Sequence, residues 1–133
     1  MIIRLRIEVL KFAILNLQQI MFKPFSLSKV KKVTIDTVKE AADKKFDAVI
    51  VDVRMPVEYA QGHIDGSLLL PLPELVENLS KIPDKTKKVY VYCRRGIRSA
   101  NAAEQLKSLG YTDVHSMSGG IEAWIEKGYP TVK

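Results

Sequence analysis

The amino-acid sequence predicts an α/β domain with a mostly parallel central sheet of about five strands flanked by helices. Three observations carry this. Short apolar runs alternate along the chain with stretches whose apolar residues recur at helical spacing. Ala48-Val49-Ile50-Val51-Asp52 stays apolar to its last residue, the pattern of a strand covered on both faces of a parallel sheet. Turn residues punctuate these segments, and 133 residues suit one domain with one sizeable core.

Residues 1–29 read as a basic amphipathic extension and residues 30–133 as the domain. Ile3, Ile7, Leu10, Ile14, Leu17 and Met21 recur at helical spacing, so a helix is expected. The alternation from Ile3 to Val9 competes as a strand start but is shorter. Basic residues before an apolar stretch also suggest an export signal, yet Asn16, Gln18 and Gln19 interrupt it and no small-residue cleavage site follows. A spanning helix needs ~20 largely apolar residues, and Arg4, Arg6, Glu8 and Lys11 shorten this stretch too far. The expectation is an accessory helix or a gene-start artefact with translation beginning at Met21. Membrane contact through residues 1–22, or export, is the disfavoured alternative to a cytoplasmic protein.

From Val30 the elements follow in order. Val33-Thr34-Ile35 reads as a short strand, followed by a helix from about Thr34–Thr37 to Lys45, with Thr37 and Glu40 in capping-box spacing. Strand Ala48–Asp52 is followed by a short helix from Pro56 to about Gln61, then a loop in which Gly62 and Gly66 bracket His63-Ile64-Asp65. Leu68–Leu70 is a brief strand. Pro73 to about Ile82 reads as a helix with Leu75, Val76 and Leu79 on one face. Val89–Tyr92 is the next strand. Ala100, Ala103, Leu106 and Leu109 line a helix that Gly110 ends. Val114–Met117 is the last strand, Gly119-Gly120 a turn, and Ile121 to about Lys127 the final helix.

The net charge of +6 resides in residues 1–34, where seven basic residues face Glu8 alone; the rest of the chain balances 14 bases against 14 acids. The body of the domain therefore lacks a basic face, and nucleic acid is not an expected partner. One cysteine excludes an internal disulfide framework and fits a reducing compartment. One cysteine and two distant histidines form no metal constellation, and neither a metal nor another cofactor is expected.

That cysteine, Cys93, stands where Val89-Tyr90-Val91-Tyr92 runs into Arg94-Arg95-Gly96-Ile97-Arg98-Ser99. Ligands of open α/β sheets sit beyond the carboxyl ends of the strands, which is where this sequence places its thiol. Thiols react as thiolates, and both the three arginines and the helix behind the loop favour an anion on sulfur. Gly96 opens a backbone conformation closed to other residues, so loop N–H groups can converge on the sulfur. The arginines point to a small anion bound at one place.

Asp52-Val53-Arg54, Glu58-Tyr59, Gly62-His63-Ile64-Asp65-Gly66-Ser67, the Cys93–Ser99 loop and Gly119-Gly120-Ile121-Glu122-Ala123-Trp124 occur in an order that resembles the signature blocks of the rhodanese domain, over about residues 31–130. The resemblance implies a three-layer rhodanese-like fold and a single-domain sulfurtransferase. In that chemistry the loop cysteine takes a sulfane sulfur from a small anionic donor such as thiosulfate, holds it as a persulfide and passes it to cyanide or a thiol. Cys93 is the implied nucleophile, and Arg94, Arg95, Gly96, Ile97, Arg98 and Ser99 the implied substrate-binding loop, with Arg94 and Arg98 preferred over Arg95 for the donor's oxygens. A non-catalytic sulfur-carrier or regulatory module is the alternative. Related phosphate- and arsenate-handling loops are longer, with arginine six positions after cysteine; here that position is Ser99 and Arg98 comes five after. Asp65 and Leu69 stand where the family often has proline and asparagine.

Asp52 and Arg54 either shape the pocket or form structural ion pairs with neighbours, such as Arg54 with Glu58; the second is preferred. His63 reads as a packed, hydrogen-bonded histidine, Trp124 as core and His115 as an exposed strand residue.

Overall fold

The computed structural model describes residues 30–45 and 47–133, with the helical positions 6, 8, 10 and 11. Arg6, Glu8, Leu10 and Lys11 are exposed on that helix; the remainder of the apolar stripe expected at residues 3–21 lies outside the described residues. Among the described residues no helix is long and apolar enough to cross a membrane.

The elements are β1 (Lys32–Val33), α1 (Ile35–Lys44), β2 (Ala48–Asp52), α2 (Pro56–Gln61), β3 (Leu68–Leu69), two 3₁₀ segments (Leu72–Glu74 and Val76–Lys81), β4 (Lys88–Tyr92), α3 (Ile97–Ser108), β5 (Asp113–Met117) and α4 (Gly120–Glu126). The five strands form one parallel sheet in the order β1-β5-β4-β2-β3. The expected α/β architecture is the one observed. β4 lies at the centre, and the chain crosses to opposite sides of it, so the loop after β4 opens at a topological switch point.

Strand alternation divides the core into two layers. Val89, Val91 and Cys93 share one layer with Val51, Val114, Ala100, Ala103, Leu106, Leu75 and Ile82. Tyr90, Tyr92, Ile50 and Met117 face the other, against Val38, Ala41, Ile121 and Trp124. Trp124 is core as expected, its indole N–H donating to Pro130 O at 2.8 Å.

Three local readings are corrected. Thr34 leaves the strand to cap α1, its Oγ1 accepting from Thr37 N at 3.3 Å, so the cap lies one turn before the expected Thr37 and β1 ends at Val33. The stretch expected as one helix from Pro73 to Ile82 is two 3₁₀ segments. Prolines at 71, 73 and 83 remove donors and crowd its ends, and the tighter winding puts Leu72 with Leu75, and Leu79 with Ile82, on the core at a spacing of three. Val76, expected on that face, is exposed. His115 is also not exposed: β5 is an interior strand, and the ring is half-buried against Tyr90 with Nε2 2.6 Å from Asp113 Oδ1.

Candidate active site

The loop after β4 is built around the Cys93 sulfur. Gly96, at φ 109°, is the N-cap of α3 and has no side chain to satisfy the first-turn N–H groups. Cys93 Sγ takes that part, accepting from Gly96 N at 3.1 Å and from Ser99 N at 3.3 Å. Two backbone donors and the positive end of a helix thus converge on one sulfur, the arrangement that stabilises an anion there. The Cys93 carbonyl does the converse for α4, accepting from Ile121 N at 2.9 Å, and the next carbonyl, of Arg94, accepts from Glu122 N at 3.1 Å. Cys93 is therefore fixed by both helices, its sulfur capping one and its carbonyl the other. Only 1% of the residue is exposed, and the sulfur lies at the floor of a cleft of about 210 Å³ lined by Cys93, Arg94, Arg95, Ile97 and Arg98.

The three loop arginines have different surroundings. Arg94 Nε and Arg95 Nε each donate to Glu122 at 2.9 Å on the open surface. Arg95, then Arg94, holds the Glu122 carboxyl below its ordinary range against a smaller effect of burial. Arg98 turns the other way and forms a two-pronged pair with Glu58 of α2, at 2.8 and 3.0 Å. The same carboxylate accepts from Met55 N at 3.1 Å, so Glu58 ties the start of α2 to the rim of the cleft. Its hydrogen bonds hold Arg98 above the ordinary guanidinium range, and the Cys93 sulfur adds to that effect.

Arg98, first among the causes, lowers the Glu58 carboxyl from its ordinary 4.5 to about 2. Because this group is more acidic folded than unfolded, the unfolded state binds more protons as the solution is acidified. The contribution is therefore full above pH 4.5 and is lost as the pH falls through about 2. Melting temperatures of wild type and Glu58→Gln across that window should show a gap in favour of wild type that closes toward the acid end. A gap of constant size would show that the charge of Glu58 plays no part in it.

Asp52 and Arg54 form a buried ion pair with each other. Arg54 donates from Nε and Nη2 to both carboxylate oxygens at 2.7–3.1 Å, and Nη2 also reaches Gly62 O at 2.7 Å. Arg54 is thus not paired with Glu58, whose carboxylate is taken by Arg98. Burial works against the Arg54 cation, and the Asp52 carboxylate more than offsets it, leaving its pKa above the ordinary value. Tyr92 Oη is pushed up by burial and then by the Asp52 charge; it accepts from Ile64 N at 3.1 Å and lies 3.1 Å from Ser67 Oγ. Together these groups pin the loop of residues 62–67 to the ends of β2 and β4. Arg54 also lines an adjoining cleft of about 400 Å³ between α2 and α4, with Glu58, Arg94, Glu122 and Ile125. His63 stacks on Tyr59 at 3.6 Å between ring centres and its Nδ1 is 2.9 Å from Tyr59 O, the packed role expected of it. Asp65 is exposed, and Leu69 lies in the edge strand β3, separated from β4 by β2.

Sequence reasoning brought Cys93, the loop and Asp52–Arg54 together, but it paired Glu58 with Arg54 where the structure pairs it with Arg98, and it assigned no role to Glu122 or Ser116. Glu58 and Glu122 lie 40 and 28 residues from the arginines they meet. Ser116 lies 2.7 Å from Ser99 Oγ beneath the cysteine; the available signal was a serine alternating with Val114 on a core strand.

A family model described as Rhodanese-like domain matches residues 34–127. A protein of Allochromatium vinosum named "Sulfurtransferase" is 37% identical over 103 residues, covering 77% of this chain and 95% of its own. "Thiosulfate sulfurtransferase GlpE" of Coxiella burnetii is 43% identical over 81 residues, 61% of this chain and 75% of its own. Other curated relatives are matched over 50% and 26% of their length. The crystal structure of a rhodanese-related protein from Thermoplasma volcanium superposes with a TM-score of 0.67 at 37% identity, covering 77% of this chain and 97% of that one. Fold, loop geometry and match over residues 34–127 agree: the chain belongs to the rhodanese-like domain family.

Proposed function

We propose that this protein is a sulfurtransferase that moves a sulfane sulfur from a thiosulfate- or persulfide-type donor to a thiophilic acceptor through a Cys93 persulfide. The observation that carries the proposal is the convergence of the Gly96 and Ser99 N–H groups on Cys93 Sγ at the floor of an arginine-rimmed cleft. The names of the Allochromatium and Coxiella relatives support it. In the loading step the thiolate attacks the outer sulfur of thiosulfate; the new S–S bond forms as the bond between that outer sulfur and the central, oxygen-bearing sulfur breaks, and sulfite leaves with the bonding pair. Charge balances, since a thiolate and a dianion become a persulfide anion and a sulfite dianion. Cyanide or a thiolate then attacks the outer sulfur, forms thiocyanate or a new persulfide, and returns Cys93 as thiolate. No proton transfer is required of His63. Intact mass after incubation with thiosulfate should show the gain of one sulfur atom; no gain from thiosulfate or from persulfide donors would overturn the proposal.

Arg98 is the guanidinium assigned to the donor's oxygens, with Arg94 beside it. Arg98→Ala removes that cation and leaves the Glu58 carboxylate unpaired at the rim, so a dianionic donor should suffer most. A loss of roughly 10- to 100-fold in kcat/KM is expected for thiosulfate, with a smaller loss for a neutral persulfide donor. Equal losses, measured also in the Arg98→Ala/Glu58→Gln pair, would remove Arg98 from the donor site.

The carrier or regulatory reading draws on one specific feature, the pairing of all three loop arginines with Glu58 or Glu122, against which a thiosulfate dianion has to compete. Steady turnover with thiosulfate and cyanide separates the two: an enzyme turns over many times, whereas a carrier loads once and stalls.

A further inference from the structure

We propose that Ser116 is a positioning residue that sets the Ser99 hydroxyl to donate a hydrogen bond to the Cys93 thiolate. The inference deepens the sulfur-transfer reading and rests on Cys93 being the reacting thiol. Ser116 pairs with Val91 across β4–β5, and Cys93 follows two residues later on the same face, so the serine lies beneath the sulfur inside an otherwise apolar layer. It is 2% exposed, and its hydroxyl lies 2.7 Å from Ser99 Oγ. Ser99 Oγ in turn lies 3.1 Å from Gly96 O and 3.6 Å from Cys93 Sγ.

Counting protons fixes the direction of each bond. Ser99 has one hydroxyl proton and can accept two more. With a neutral thiol, Cys93 S–H donates to Ser99 Oγ, and Ser99 donates to Gly96 O. Its remaining acceptor position then takes the Ser116 proton. When Cys93 loses its proton, the sulfur becomes an acceptor, and the Ser99 hydroxyl turns from Gly96 O to Sγ. Gly96 O still accepts from Ala100 N at 3.2 Å, so the turn leaves no bare carbonyl. The bond from Ser116 persists through both states and keeps the Ser99 oxygen where its proton reaches the sulfur. The thiolate then has three donors, Gly96 N, Ser99 N and Ser99 Oγ.

The charged groups around this sulfur are Arg98 with Glu58 from α2, Arg94 and Arg95 with Glu122 from α4, and the Asp52–Arg54 pair at the end of β2. The titratable pair of β5, Asp113 with His115, is carried by the alternate residues, with His115 against Tyr90 in the other layer. Ser116→Ala leaves all of these unchanged.

The test is the rate at which iodoacetamide alkylates Cys93 in wild type, Ser116→Ala, Ser99→Ala and the double variant, at neutral and at alkaline pH. Ser116→Ala should slow alkylation at neutral pH by about 3- to 10-fold, the scale of one hydrogen bond, and the gap should close at alkaline pH, where the thiol ionises without help. In the Ser99→Ala background the second change should add nothing, because Ser116 acts through Ser99. No loss, an equal loss at both pH values, or an additive double variant would overturn the proposal. Alkylation needs no sulfur donor, so wild-type sulfur uptake, measured in parallel, reports separately on the sulfur-transfer reading.

Discussion

Cys93→Ser should abolish sulfur transfer while leaving the fold in place. Cyanide-dependent turnover should fall on the order of 10⁴-fold or more, the scale at which removing a covalent nucleophile acts. The intact mass should gain no sulfur from thiosulfate. The reason is chemical: a serine hydroxyl is not ionised at neutral pH, and its oxygen cannot carry a sulfane sulfur as a persulfide does. The structural part that Cys93 plays is one a serine can fill. Its side-chain atom has to accept from Gly96 N and Ser99 N, and a hydroxyl oxygen accepts as a sulfur does. The carbonyl that caps α4 is unaltered. Melting temperature and circular dichroism near those of wild type, beside lost uptake, would separate chemistry from folding. Uptake of sulfur by the serine variant would place the reaction elsewhere.

The loop was legible because its logic is local. A cysteine at a strand end, a glycine three residues on and a helix behind it are all written within seven residues, and the backbone has few ways of joining them. The parallel sheet was legible for a similar reason, since Ala48–Asp52 suits burial on both faces and little else. What sequence did not disclose is long-range. Glu58 and Glu122 carry no mark of the arginines they hold, because exposed carboxylates are common on helices and the pairing depends on how α2 and α4 pack around β4. The Arg54–Glu58 pair was expected from proximity along the chain, but Asp52 sits two residues away at the buried end of β2 and offers both oxygens. The capping of α1 and the 3₁₀ segments were missed by one turn and one period, errors of the size that short elements bounded by threonine or proline invite.

Gly120→Ala is the second change expected to have a large effect, and it acts from outside the loop. Gly120 has φ +61°, and a Cβ placed on it would lie 2.3 Å from Arg94 O, 2.4 Å from Arg94 C and 2.6 Å from Arg95 N. Those are backbone atoms of the loop, so no side chain can swing aside. Left-handed strain costs about 1 kcal/mol and overpacking about 1–3 kcal/mol, giving an expected loss of about 2–4 kcal/mol. Gly128→Ala supplies the comparison: φ is +86° but nothing lies within 4 Å of the added carbon, so strain alone, about 1 kcal/mol, is expected. Urea denaturation of both variants measures the difference. If the loop yields to make room, the bonds from Ile121 N to Cys93 O and from Glu122 N to Arg94 O lengthen, and Cys93 loses its fixed place between the two helices. Sulfur uptake should then fall at least about 10-fold in Gly120→Ala with its cysteine intact, as misplacing a reacting group does. Gly128→Ala should load at the wild-type rate. Equal stability and equal uptake in the two variants would mean that the close approach of α4 does not hold the loop in its working shape.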